Sequence, residues 1–239
     1  MKKIFKKFGF TLAEVLIAIG IIGTIAAMTI PTLKDAYEEH LFETRAKAAY
    51  NHIQQAVSLS KFSGDRYYGE YPDVFYKRYV KNNLKITREC IFPNTGCKLN
   101  EKVDSNMVYV PLNLDESNIG LLGNDPSTVI TDSNEYFIFA NKSKVQIQDD
   151  YKVNLPEQIG HNGIVVYFDS NGQNEPNMLG YDGYVLVWNG VELVPAGYDA
   201  TTKEITDNCS LDKETKYDRG VFCLQYMIDN GWKINRDLF

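Results

Sequence analysis

The pattern of hydrophobic and polar positions first picks out a long uncharged stretch near the N-terminus. From Val15 to Leu33, nineteen consecutive residues carry no charge. At a helical rise of about 1.5 Å per residue this stretch reaches roughly 28 Å, close to the hydrocarbon thickness of a bilayer. The pattern therefore predicts one membrane-spanning helix.

After Leu33 the pattern becomes amphipathic and remains so to about Phe62. Small and apolar residues recur at helical spacing while charged residues occupy the other faces, as in a helix with one buried face. The recurring set is Ala49, Ile53, Ala56, Val57 and Ser60. We predict a single helix from Phe10 to Phe62. Three residues are expected to bend or locally melt it: Gly20, Gly23 and Pro31.

The second half of the chain is typical of short strands. Strands are predicted over residues 136–140, 144–148, 164–168, 184–188 and 191–194. The Asn189-Gly190 pair between the last two is a strong hairpin signal. Short helices are predicted over 74–84 and 220–230, the latter stopped by Gly231. The expected fold is α+β, with a long N-terminal α-helix, membrane-spanning in its first half, packed on a C-terminal antiparallel β-sheet head of four or more strands.

Charge gives the membrane helix a direction. The 239 residues contain 25 Lys and Arg against 31 Asp and Glu, and four of the lysines fall in the first nine residues, which contain no acid. Lysines beside a span stay on the cytoplasmic side, so the rest of the chain is expected outside the cytoplasm. Without those four lysines the formal charge is −10. Nucleic-acid binding through bulk charge is therefore not expected.

The residues at the start of the apolar stretch carry a family resemblance. The run Gly9-Phe10-Thr11-Leu12-Ala13-Glu14 and the helix after it resemble the class III signal and N-terminal helix of type IV prepilins and type II secretion pseudopilins. The resemblance covers residues 1 to about 35. It implies that a prepilin peptidase cuts between Gly9 and Phe10 and methylates the new amine of Phe10.

Glu14 is the one acid in this apolar region, and an ionised carboxylate in a membrane helix costs several kcal/mol unless it is paired. The resemblance implies that Glu14 pairs with the N-terminal amine of Phe10 in a neighbouring subunit during assembly. The alternative is that Glu14 lies near the helix start, where the helix dipole favours an anion.

The resemblance divides the chain into four segments. These are a cleaved basic leader (1–9), a transmembrane and assembly helix (10–33), its amphipathic continuation (34–62) and an extracytoplasmic globular head (63–239). The implied function is a structural subunit of a type II secretion pseudopilus or type IV pilus-like filament, in the inner membrane with its N-terminus cytoplasmic. The implied partners are other pilin or pseudopilin subunits and the prepilin peptidase. The alternative is a membrane-anchored monomer that displays its head to bind cargo or DNA.

Catalysis is not expected, because the sequence holds no nucleophile pattern, phosphate loop or zinc-type Cys/His spacing. Four cysteines follow the predicted span and would lie in an oxidising compartment. They allow three pairings. We favour Cys90 with Cys97 and Cys209 with Cys223, because each pair brackets a short loop containing glycine.

One loop between predicted strands is dense in oxygen ligands and glycines. It runs from Asp169 to Asp182 and resembles a loop that holds calcium in pseudopilin heads. Calcium takes six to eight oxygens in irregular geometry. We therefore predict one Ca²⁺ with Asp169, Asn171 and Asp182 as side-chain ligands. The alternative is a solvated turn in which these residues satisfy local backbone geometry.

A second polar feature is a row of basic residues after the long helix. The row falls at close to helical spacing and predicts a basic stripe that could contact DNA, an acidic neighbour or cargo. The alternative is an ordinary solvated face. Its members are Lys77, Lys81, Lys85 and Arg88.

Overall fold

The computed structural model describes residues 10–62, 72–91, 135–139, 143–148, 164–172, 178–210, 219–235 and 238. The chain forms two compact units, Met1–Leu41 and Phe42–Phe239. Helix α1 (Leu12–Phe62) contributes to both. The described part of the second unit contains a six-stranded antiparallel sheet and further short helices.

Helix α1 has 51 residues and ends at Phe62, as the sequence predicts. It contains Pro31 and is assigned as helical through Gly20 and Gly23. Local melting at these residues is therefore wrong in this structure, and the alternative expectation, a bend, stays a prediction. The hydrogen bond that a proline removes is one among many in a helix of this length.

The strands follow one another across the sheet in chain order, each antiparallel to the next. They are β1 (Ile86–Ile91), β2 (Glu135–Phe139), β3 (Lys144–Gln148), β4 (Val165–Asp169), β5 (Gly183–Trp188) and β6 (Leu193–Pro195). The hairpin between β5 and β6 turns at Gly190, which has a φ of 93°. All five predicted strands are confirmed within about two residues, and β1 is an additional strand.

Three short helical segments complete the described fold. Helix α2 (Pro72–Phe75) continues into a π-helical turn (Tyr76–Val80), so the helix predicted over 74–84 is too long at its C-terminal end. Helix α3 (Thr202–Asn208) was not predicted, although its start carries a Thr-x-x-Glu capping box. Helix α4 (Cys223–Asp229) agrees with the predicted last helix.

The core of the second unit forms where α1 packs with the sheet. The predicted face of α1 is buried in this core together with Ala46. Side chains of every second residue in β3, β4 and β5 join this core: Val145, Ile147, Val166, Phe168, Tyr184, Leu186 and Trp188. The expected α+β, pilin-like fold is therefore confirmed.

Strands β4 and β5 are buried on both faces. Val165 and Tyr167 of β4 point away from the face that packs with α1, yet they are as buried as their neighbours. The same holds for Val185 and Val187 of β5. Strands buried on both faces read as continuous apolar runs, which is why these segments were recognisable in the sequence.

Candidate functional site

The start of α1 is closed by a capping box between Thr11 and Glu14. Thr11 donates from both its backbone N–H and its hydroxyl to Oε2 of Glu14, each at 2.8 Å. The backbone N–H of Glu14 donates back to Oγ1 of Thr11 at 3.2 Å. Within the described residues Glu14 therefore caps its own helix, as the helix-start alternative anticipates. Pairing with a neighbouring subunit stays a prediction.

Phe10 stands immediately before this cap and is 89% exposed. Its main chain lies two residues before Leu12, where α1 begins. Gly9, the other residue of the predicted cleavage junction, lies outside the described residues. The cleavage itself stays a prediction.

The first half of α1 exposes nearly all of its large apolar side chains. None of the residues in its most apolar 18-residue window is buried, and the described part of the chain has one helix, α1, that is long and apolar enough to cross a membrane. The exposed set includes Val15, Leu16, Ile17, Ile19, Ile21, Ile22, Ile25, Met28, Ile30 and Leu33. Such a surface is stable in an apolar environment, which the described residues do not supply.

The hydroxyl groups in this apolar half are satisfied within the helix. Thr24 donates to the carbonyl of Ile21 at 2.8 Å, and Thr29 donates to the carbonyl of Ile25 at 3.0 Å. Thr32 donates to the carbonyl of Thr29 at 2.9 Å. A segment surrounded by lipid must satisfy its polar groups internally, and these threonines do so.

The three predicted calcium ligands lie together in a buried cluster at the end of β4 and the start of β5. Oδ1 of Asp169 accepts from the backbone N–H groups of Asn171 at 2.9 Å and Gly172 at 2.7 Å. Asp182 accepts from Nδ2 of Asn171 at 3.0 Å and from the backbone N–H of Met178 at 2.7 Å. These bonds give the pattern of Asp, Asn and Gly a structural role without a cation.

The chemistry of this cluster fits a cation in part. Carboxylate oxygens are ligands that Ca²⁺ prefers, and each can accept more than one partner. The amide of Asn171 presents its nitrogen to Asp182, however, so it would have to turn to offer oxygen to an ion. Calcium binding therefore stays a prediction that requires rearrangement of this one side chain.

Tyr184 lies beside the cluster and is fully buried. Burial raises the pKa of its hydroxyl well above the ordinary value, and the negative charge of Asp182 adds to that shift. The hydroxyl donates to the carbonyl of Tyr181 at 2.7 Å. Tyr184 therefore stays neutral and fixes the turn that carries Asp182.

A disulfide joins Cys209, after α3, to Cys223, the first residue of α4, as favoured from the sequence. Both cysteines are buried. Gly180 packs against it so closely that a Cβ there would lie 2.6 Å from Sγ of Cys223. Gly220 likewise has no room for a side chain beside the carbonyl of Leu179. The disulfide therefore supports the loop that holds Asp182.

The other favoured pair, Cys90 with Cys97, lies outside what the structure describes. Cys90 belongs to β1, but its side chain is among those not described, as is all of Cys97. That pairing stays a prediction.

The basic row does not form one helical stripe. Lys77 lies in the π-helical turn, Lys81 and Lys85 follow it, and Arg88 lies in β1. The helical spacing was misleading because the helix ends at Val80. The three lysines are exposed, and Nζ of Lys81 lies 5.9 Å from the ring centroid of Tyr76.

The two histidines that the structure describes belong to no group of metal-ligating side chains. Among the described residues no three His, Cys, Asp or Glu side chains are grouped to hold a metal ion. His40 and His52 are exposed on α1. His161 lies outside the described residues.

One charged residue of α1, Glu43, is expected on an exposed face of the helix but is buried. Glu43 is 5% exposed and accepts a hydrogen bond from Nζ of Lys233 at 2.8 Å. The signal was present, since Glu43 precedes Ala46, Tyr50 and Ile53 at helical spacing and so falls on the apolar face. An acid on such a face requires a partner.

Comparison with known proteins identifies the N-terminal segment. Residues 4–30 match the family described as the prokaryotic N-terminal methylation motif. The chain therefore carries the class III signal peptide of type IV prepilins and pseudopilins. Comparison with curated proteins and with solved structures finds no match.

Proposed function

We propose that this chain is a structural subunit of a type II secretion pseudopilus or type IV pilus-like filament. The observation that carries the proposal is the coincidence of the methylation motif at residues 4–30 with the exposed apolar half of α1. A motif match alone would describe a signal. The helix behind it supplies a surface that neighbouring subunits can cover.

The exposed apolar residues have two environments in this proposal. Before assembly they lie in the bilayer, where burying each large aliphatic side chain contributes about 1.5–3 kcal/mol. After assembly they pack against the same helix in other copies. The expected loss of contact with lipid is then offset by contacts between helices, which requires correct register.

Glu14 supplies that register. Both bonds from Thr11 end on Oε2, so Oε1 faces no donor in the capping box and is suited to the amine of Phe10 in a neighbouring subunit. The capping box holds the carboxylate in place before the neighbour arrives. Pairing then neutralises a charge that would otherwise be costly in an apolar environment.

The orientation of the chain follows from two features. Lysines in the leader favour a cytoplasmic N-terminus. The buried disulfide between Cys209 and Cys223 favours an oxidising compartment for the head. We therefore place the N-terminus in the cytoplasm, the first half of α1 in the inner membrane and the head outside the cytoplasm.

A comparison of two capping boxes tests the proposal. Glu204 forms with Thr201 a box of nearly the same geometry as that of Glu14 and Thr11, but at the start of α3. We expect Glu14→Ala to abolish polymers that sediment from, or crosslink in, cells with active prepilin peptidase. Glu204→Ala serves as the matched control and should leave polymers intact.

The alternative, a membrane-anchored monomer that binds cargo or DNA, predicts a different outcome. The wild-type chain would then form no polymers whether or not the peptidase is present. Polymers that form equally well without the peptidase would also contradict the proposal.

A further inference from the structure

The segment after α4 turns back through two residues with left-handed backbone. Gly231 and Trp232 both have a φ of 68°. The N–H of Gly231 donates to the carbonyl of Ile228 at 3.2 Å, and that of Trp232 donates to the carbonyl of Met227 at 2.6 Å, which closes the helix. Glycine adopts this conformation freely, whereas a tryptophan in it is strained. Such strain persists where surrounding contacts impose it.

Two side chains of α1 contact the strained tryptophan. The ring centroids of Tyr50 and Trp232 are 5.3 Å apart. Nζ of Lys47 lies 5.6 Å from the ring centroid of Trp232, within the range of a cation–π interaction. The indole ring is therefore held on the surface of α1.

The next two residues bind a single buried carboxylate of the same helix. Nζ of Lys233 donates to Oε2 of Glu43 at 2.8 Å, and the backbone N–H of Ile234 donates to Oε1 at 3.1 Å. Glu43 is buried although Lys233 is largely exposed. Since residues four and three apart share a helix face, Glu43, Lys47 and Tyr50 form one stripe on α1.

This stripe lies where burial of α1 begins. Glu43 is the first described residue of α1 that is buried. The next two buried residues are Ala46 and Ala49, whose small side chains bury little apolar area and so hold the helix weakly. The first large buried aliphatic side chain is that of Ile53.

We propose that residues 232–234 form a clasp on Glu43, Lys47 and Tyr50 that fixes the first two buried turns of α1 in place. The clasp supplies the attachment that the alanines cannot. It acts there beside one further contact, the edge-on packing of Phe42 against Tyr181, whose ring centroids are 4.8 Å apart. Opening the clasp lets residues 43–50 separate from the core while Ile53 and Val57 remain packed.

Hydrogen exchange with mass-spectrometric detection on the full chain in detergent micelles tests this. Trp232→Gly is the informative change, because glycine removes the ring but also relieves the backbone strain. If the segment only ended α4, relief of strain would leave exchange in α1 unchanged or slower. The clasp predicts that exchange over residues 43–50 becomes about tenfold faster or more, while peptides of β4 and β5 keep their protection.

Lys233→Met tests the contact with the carboxylate of Glu43. It carries little risk to the fold, because the side chain of Lys233 is exposed. It should also accelerate exchange over residues 43–50. The double variant Lys233→Met/Glu43→Gln should exchange no faster over these residues than the faster of the two single variants, because Lys233 and Glu43 share one interaction. Asp229→Asn, an exposed change at the end of α4, is the matched control and should have no effect.

Wild-type exchange over residues 43–50 in both Trp232→Gly and Lys233→Met would overturn the proposal. So would acceleration in Lys233→Met that extends equally to β4 and β5, since it would show general destabilisation and no local clasp. These results do not depend on whether the chain forms filaments.

Discussion

The two parts of α1 differ in what surrounds them, although one helix contains both. Between Val15 and Leu33 the apolar side chains are exposed, and the threonine hydroxyls bond to carbonyls of the helix itself. From Glu43 to Ser60 one face is buried, and side chains bond to distant segments of the chain.

This difference separates two roles of the helix, one as an exposed apolar segment and one as part of the core of the head. In its first part the hydroxyl groups of Thr24, Thr29 and Thr32 bond within the helix, and the described residues do not cover its apolar side chains. Its later part derives its stability from the fold, as most helices in proteins do. A substitution in the first part should therefore leave the stability of the head unchanged. A substitution in the later part should leave membrane association unchanged.

The largest expected difference in the free energy of unfolding is between two isoleucine-to-alanine substitutions, one in each part of α1. Ile53 is 2% exposed and Ile22 is 65% exposed. Ile53→Ala should lower the free energy of unfolding of the head by about 2–5 kcal/mol, because it leaves a cavity in the core. Ile22→Ala should leave it unchanged. Thermal unfolding of the full chain in detergent, followed by near-ultraviolet circular dichroism, measures both, and equal losses would refute the comparison.

Removal of the disulfide should have the next largest effect and should be confined to the head. A Cys209→Ser/Cys223→Ser double variant opens a closed loop whose ends are 14 residues apart in sequence. In the chain-entropy model the loss is about 3 kcal/mol. The midpoint of thermal unfolding should fall, while the chain should still require detergent for extraction from membranes. An unchanged midpoint would contradict a supporting role for this disulfide.

Calcium should raise the stability of the head if the Asp169 to Asp182 loop binds it. At a free concentration one hundred times the dissociation constant, a ligand that binds the folded state adds about 2.7 kcal/mol. We expect calcium to raise the unfolding midpoint of the wild-type chain and to leave Asp182→Asn unaffected. Magnesium is the control ion, because its octahedral shell suits this loop less well. If calcium does not raise the unfolding midpoint of the wild-type chain, the calcium prediction is wrong and the cluster has only its hydrogen-bonding role.

The smallest effect belongs to the capping box of α3, which repeats in the head the box at the start of α1. Thr201→Ala should cost about 1 kcal/mol. Bonds from the hydroxyl and N–H of Thr201 hold the pKa of Glu204 below its ordinary value of 4.5. Because the folded pKa is lowered, the stability that depends on the charge of Glu204 is present above pH 4.5 and is lost as the pH falls through the folded pKa.

Unfolding midpoints measured down the acid range should therefore show a smaller difference between wild type and Thr201→Ala as the pH falls. A difference that grows on acidification would contradict this sign. Thr11→Ala is the partner variant in the apolar part, and we expect no change in head stability from it.

The sequence predicted the parts of the fold that repeat a simple period. The buried face of α1 and the strands β4 and β5 have regular apolar patterns, and the structure confirms them. Strand β1 was missed because its residues were read as a continuation of basic helical spacing. The π-helical turn before it ends that spacing at Val80.

The candidate site was predictable at its N-terminal end and less so in the head. The motif around Phe10 and Glu14 consists of consecutive residues, so the sequence alone is enough to recognise it. The contact of Glu43 with Lys233 joins residues 190 positions apart and depends on a left-handed Trp232 that no local pattern specifies. The sequence groups Asp169 with Asp182, but their hydrogen bonds depend on the register of β4 and β5, the two strands that flank the loop.

The most direct test of the central claim is the intact mass of the chain extracted from membranes of cells with active prepilin peptidase. The proposed function predicts the mass of residues 10–239 plus one methyl group, with N-methylated Phe10 at the N-terminus, and a Gly9→Ser variant that keeps its leader. A chain that retains Met1, or that begins at any residue other than Phe10, would contradict the proposal that the first part of α1 is a processed assembly helix.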